Sequence, residues 1–180
     1  MDVKKAICGI LIASVIVTMI LPTQRTTATE MSISQNEINQ ICEEVGNKYC
    51  ICPELLEAMC QVESNNNPNA VGKLGDTGLM QIIPKYHTAE MKQLGVTNLK
   101  DPQQNIEVGA LYLSKLFEKY GDLPLVLMKY NGVRNAEQLN SSNNFTDYAN
   151  KIMKLSWQLE REHGKWKSLI GKHLKLPEYV

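Results

Sequence analysis

The feature that most constrains this chain is a run that can only be a long amphipathic helix. Asp101 can cap it and Pro102 fits its first turn. A stripe of Ile106, Gly109, Ala110, Leu113, Leu116, Phe117 and Tyr120 then recurs at helical spacing until Gly121 ends it. Gly109 and Ala110 on that stripe carry little side-chain bulk, so another segment can approach closely there. Other parts of the chain follow the same period. Ser34 and Glu37 form a capping box ahead of Ile38, Ile41, Cys42, Val45 and Tyr49, which predicts a first helix to about Lys48. Pro53 opens a second, in which Leu56, Met59, Cys60 and Glu63 share one face. Short helices are expected near 80–83 and 87–94. Asp122 caps a segment that delivers Tyr130 and Asn131 to a turn at Gly132, and a last helix carries Ile152, Leu155, Ser156 and Leu159. Nothing alternates as a strand would, so the fold class is mostly α.

With 180 residues, 43% of them hydrophobic, the chain can bury one core. Lysine plus arginine and aspartate plus glutamate both number 19, so no basic field draws nucleic acid. Lys4 and Lys5 precede an uncharged apolar run, Ala6 to Leu21, followed by Pro22 and a threonine-rich stretch. This reads as an export signal over 1–28, cleaved before Thr29 in preference to a retained anchor, which would be the chain's one contact with a membrane. Cys8 lies at the start of that run, badly placed for lipidation. The remaining cysteines, Cys42, Cys50, Cys52 and Cys60, are even in number in an exported chain, which suggests disulfides of open connectivity; free thiols rank next, and zinc last. The catalytic domain is expected over 29–160. The tail, 161–180, is basic and amphipathic, and the simplest account of it is a solvated terminus.

Glu63 is the residue most suited to chemistry. A carboxyl on an apolar face keeps its proton near neutral pH and can deliver it to a poor leaving group. A loop follows, with Asn65 to Asn69 and Gly72, Gly75 and Gly78.

Glu63-Ser64, Asn67-Pro68-Asn69-Ala70-Val71, Gly78-Leu79-Met80-Gln81-Ile82, Asn105-Ile106 with Gly109 and Tyr112-Leu113, and Tyr130-Asn131 closely resemble, in order, the catalytic domain of the soluble lytic transglycosylases, over about Tyr49 to Trp157. The resemblance implies a lysozyme-like helical domain with a saccharide groove. It implies non-hydrolytic cleavage of peptidoglycan glycan strands between N-acetylmuramic acid and N-acetylglucosamine, leaving a 1,6-anhydro ring, with no cofactor and no metal. Glu63 resembles the family's single acid/base and Ser64 a residue that supports it, although Ser64 reads equally as an ordinary helix-end hydroxyl. Gln81 and Tyr130 resemble sugar-contacting groove residues; Met80 and Asn131 resemble more structural or peripheral ones, and Tyr112 reads equally as core.

Two departures stand out. Gly72 replaces a common serine. Lys129-Tyr130-Asn131-Gly132-Val133-Arg134-Asn135 replaces Ala-Tyr-Asn-Ala-Gly-Pro-Gly. A hydrolytic muramidase, with Asp76 directing water, is the nearest rival reading, and a non-cleaving wall-binding scaffold is a more distant one. A free-standing enzyme and a wall-opening part of an envelope-spanning secretion or conjugation apparatus are both compatible with the sequence.

Overall fold

The computed structural model describes residues 33–164. The expected export signal, and the tail beyond Gly164, lie outside the described residues. Seven helices are described: α1 (Gln35–Tyr49), α2 (Pro53–Ser64), α3 (Thr88–Leu94), α4 (Pro102–Tyr120), α5 (Leu123–Tyr130), α6 (Ala136–Ser141) and α7 (Asp147–Glu162). No strand is present among the described residues, only isolated bridges joining Val71 to Thr77 and Thr77 to Ile82.

The helix ends follow their local chemistry. The Ser34 hydroxyl accepts from Glu37 N while the Glu37 carboxylate accepts from Ser34 N, completing the capping box. Asp101 accepts from Gln104 N at 2.9 Å, and Gly121, at φ +69°, ends α4 by donating to the Phe117 carbonyl at 2.8 Å. The turn expected to be helical near 80–83 is not a helix. Gln81 takes a positive φ of 47°, and Thr77 and Ile82 exchange backbone hydrogen bonds, so the chain doubles back. The short helix α6 had no periodic signal in the sequence.

Packing closes the helices into a ring: α1 lies on α2 and α4, α4 on α5, α5 on α7, and α7 on α2. Ile38, Leu56, Met59, Leu79, Ile106, Leu113, Leu127 and Ile152 are fully buried in the shared core. The carboxyl of Glu54 in the first turn of α2 is buried and meets His163 Nδ1 at 3.0 Å, which ties the far end of α7 to the start of α2.

The disulfides expected from the cysteine count are not formed, and all four cysteines are free thiols. Cys42 and Cys60 are buried between α1 and α2, and the hydrogen bond between the two, with burial, pushes the Cys42 thiol far up from its ordinary value. Cys50 is exposed at the left-handed C-cap of α1. Cys52 Sγ donates to Glu54 Oε2 at 3.1 Å.

Candidate active site

Glu63 sits in the last turn of α2, whose residues from Glu54 to Cys60 are all buried. The helix must stop immediately after it, because Asn65 and Asn66 both adopt left-handed backbone, at φ 53° and 60°. Asn66 N donates back to the Cys60 carbonyl and Asn65 N to that of Gln61. The Glu63 carboxyl is held above its ordinary carboxylate value, chiefly by burial and further by the negative charge of Asp76. One hydrogen bond opposes this: the Tyr148 hydroxyl, from the first turn of α7, donates to Glu63 Oε1 at 2.5 Å. Burial, and then the neighbouring Glu63 charge, push Tyr148 and Tyr130 well above the ordinary tyrosine range, so both phenols stay protonated donors.

The loop opposite Glu63 is built on Asn105, a fully buried amide in the first turns of α4. Its Oδ1 accepts from Met80 N at 2.7 Å, and its Nδ2 donates to the carbonyls of Thr77 and Leu99, each at 2.8 Å. Gly78 at φ +80° lies so close that a Cβ there would stand 2.2 Å from Asn105 Nδ2. The bare face of Gly109 receives Met80, whose sulfur would lie 2.5 Å from an added Cβ, so the close approach expected on that stripe is made by this loop. Tyr130 closes the arrangement by donating to the Met80 carbonyl at 3.0 Å. Tyr112 backs Tyr130 at 5.6 Å between ring centroids and meets His87 edge-on at 4.6 Å.

The expected site residues therefore separate. Glu63 and Tyr130 are brought into one electrostatic neighbourhood, in which the charge of one raises the pKa of the other. Gln81 lies on the same loop as Met80, its Nε2 donating to the Gly78 carbonyl at 2.8 Å. Ser64 donates to the Cys60 carbonyl at 3.0 Å, within its own helix. Met80 is fully buried, and its backbone carries its polar contacts, its N donating to Asn105 and its carbonyl accepting from Tyr130. Asn131 is exposed at the C-cap of α5, on the rim. Tyr112 is half-buried behind Tyr130.

Asp76 is engaged in its own turn. Its Oδ1 accepts from Leu74 N at 3.1 Å and its carbonyl from Gly72 N at 2.8 Å. The carboxylate lies over Gly72, where a Cβ would stand 1.6 Å from Oδ2, so the glycine that replaces a common serine makes room for Asp76. The unusual charge before Tyr130 is turned aside, with Lys129 Nζ paired to Glu137 at 2.6 Å and lying over the Tyr120 ring. Gly132, at φ +76°, keeps the turn although the usual Gly-Pro-Gly is gone. The partner that sequence reasoning missed is Tyr148. Its only local signal is Thr146, which caps α7 by accepting from Ala149 N.

Comparison with known proteins agrees with this geometry. The profile described as Transglycosylase SLT domain matches residues 40–152. A transglycosylase of Enterobacteria phage PRD1 is 39% identical over 107 residues, 59% of this chain and 38% of that protein. An endo-type membrane-bound lytic murein transglycosylase A of Klebsiella pneumoniae is 37% identical over 83 residues, 42% of this chain and 41% of that one. The chain thus spans about two fifths of the length of these relatives. Among solved structures, the lytic transglycosylase Slt of Pseudomonas aeruginosa superposes with a TM-score of 0.62 at 19% identity, covering 69% of this chain and 24% of that one. The 70 kDa soluble lytic transglycosylase of Escherichia coli does so at 0.60 and 22%, covering 70% and 24%. With its helical fold, its part-buried glutamate at the end of α2 and a family match over residues 40–152, the chain belongs to the transglycosylase SLT domain family.

Proposed function

We propose that the domain cleaves the β-1,4 bond between N-acetylmuramic acid and N-acetylglucosamine in peptidoglycan without hydrolysis, with Glu63 as both acid and base. The observation that carries this reading is the part-buried carboxyl of Glu63, raised toward its protonated form, beside a rival carboxylate engaged in its own turn. Protonated Glu63 gives its proton to the glycosidic oxygen as the C1–O bond breaks. The muramic 6-hydroxyl then attacks C1, and its proton returns to Glu63, leaving a 1,6-anhydro ring. The substrate's acetamido group can supply the stabilisation that a second carboxylate gives in two-carboxylate glycosidases. Tyr148 holds the carboxyl in place, Tyr130 fixes the groove loop through the Met80 carbonyl, and Gln81 and Asn131 stand where sugar would pass; Ser64 supports the end of α2.

The apolar run from Ala6 to Leu21 supports a place of action outside the cytoplasm. Mass spectrometry of muropeptides released from purified peptidoglycan tests the reaction, with wild type and Glu63→Gln compared. Anhydro ends released by wild type alone support it. Reducing ends would move the assignment to a hydrolase, and no product from wild type would move it to a binding role.

A further inference from the structure

The two flanks of α7 face different surroundings. Tyr148 touches Glu63 on one flank. Asn150, two residues on, is turned about 200° from it around the helix, and Trp157, about two turns further, returns to the Asn150 flank. There Asn150, Lys154 and Trp157 join Asn143, Asn144 and Phe145 around a cavity of about 620 Å³, floored by the start of α5 and lined by none of the candidate active-site residues.

Its walls have a particular chemistry. Trp157 is 40% exposed, an unusual state for an indole, and Phe145 adds a second aromatic ring. Three carboxamides, each with donors and acceptors, surround them. The wall is held before any ligand arrives. Asn143 takes a left-handed φ of 54°, Asn144 N donates to the Leu139 carbonyl at 2.9 Å, and Asn150 Nδ2 donates to that of Phe145 at 3.3 Å. Of the charged groups, Asp122 caps α5 by accepting from Leu125 N, which leaves Lys154 as the one cation in the lining. Aromatic faces suit the C–H faces of pyranose rings, and carboxamides pair with hydroxyl and acetamido groups; the size falls within the range of small-ligand sites. The loop that walls the cavity runs, in the chain, into the first turn of α7, which sets Tyr148 on Glu63 on the other flank of the same helix.

We propose that this cavity is a second saccharide site, which holds an N-acetylhexosamine segment of the wall polymer away from the bond being cut. The choice of polymer rests on the glycan-cleaving reading of Glu63. A substrate strand, or its neighbour, gripped on this flank would stay with the enzyme between cleavage events.

The test uses the full chain, ¹⁵N-labelled, titrated with chitotetraose. The expected result is saturable movement of the Trp157 indole N–H and of the Asn143, Asn144 and Asn150 side-chain amides, at concentrations different from those that move Gln81. Asn144→Ala, an exposed loop change, and Trp157→Ala are each expected to weaken that response and sedimentation with insoluble peptidoglycan roughly five- to tenfold. Movement confined to Gln81 and its neighbours would overturn the proposal, as would an equal response to cellotetraose, which lacks acetamido groups. The two readings fail separately. Anhydro products with a silent Trp157 would remove the second site alone, and a responding Trp157 with no products would remove the reaction alone.

Discussion

Tyr148 Oη and Glu63 Oε1 meet at 2.5 Å although 85 residues separate them in the chain. The bond joins the last turn of α2 to the first turn of α7, and it is the one contact that pulls the Glu63 pKa down against burial and Asp76. A hydrogen bond donated to a carboxylate favours its ionised form. Tyr148→Phe should therefore raise the Glu63 pKa further and move the basic limb of the kcat/KM profile to higher pH. Loss of orientation should lower kcat about 10- to 100-fold, the worth of a hydrogen bond to a charged group. A pH–rate series on the two proteins checks both, and an unmoved basic limb would remove the electrostatic role.

Glu63→Gln should lower turnover about 10²-fold or more, the scale of general acid–base catalysis, and should also stabilise the domain at neutral pH. The sign follows from linkage. A carboxyl whose pKa rises on folding favours the folded chain fully below its unfolded value, and that contribution is lost as pH climbs through the folded value. Glutamine is neutral throughout, so the gap in Tm between variant and parent should be small in acid and widen toward neutral pH. Thermal melts across that range would sink this account if the gap stayed constant.

Asp76→Asn separates lyase from hydrolase. Asparagine keeps an acceptor for Leu74 N but removes the charge that raises Glu63. Activity should persist within about threefold at its optimum, an effect smaller than the loss of a catalytic base. The basic limb should move to lower pH. Loss of turnover by orders of magnitude would favour water activation by Asp76.

Gly109→Ala sets two effects against each other. Alanine gains about 1 kcal/mol in helix propensity. Its Cβ, however, would stand 2.5 Å from the Met80 sulfur and 3.2 Å from the Met80 Cβ, and overpacking of a filled core costs about 1–3 kcal/mol. The Met80 Cβ is not a flexible tip, so the clash should win. Urea unfolding should show a net loss of stability, with reduced activity because Tyr130 bonds the Met80 carbonyl.

Thiol labelling should proceed in order. Cys50 is exposed and should react first. Cys52 should lag, since partial burial and its hydrogen bond to Glu54 push its thiol up to about 12. Cys42 and Cys60, buried between α1 and α2, should react only on unfolding. Mass spectrometry after timed alkylation checks the order, and early labelling of Cys42 would contradict the packing of α1 on α2.

The legible parts of this protein were those encoded locally. The caps at Ser34 and Asp101, proline at the first turns of α2 and α4, and the stripe of α4 all act within a few residues, and each appears in the structure where the pattern placed it. Glu63 was legible because its helical neighbours declare its burial. Tyr148 was not, because a tyrosine in a first turn says nothing of what lies across the fold. The turn at Gln81 misled for a related reason. Its left-handed backbone sits in a loop held by Asn105, whose amide bonds both Thr77 and Met80 in that loop and Leu99 ahead of α4, and no local propensity reports that.

The ring of helices closes where α7 meets α2, so the Glu63 carboxyl acquires its tyrosine only when α7 docks against α2. A chain that emerges N-terminus first carries Glu63 long before Tyr148 exists to orient it. Orientation of Glu63 is thereby tied to the docking of α7, and a chain truncated before Tyr148 would hold that carboxyl without its hydrogen-bond partner.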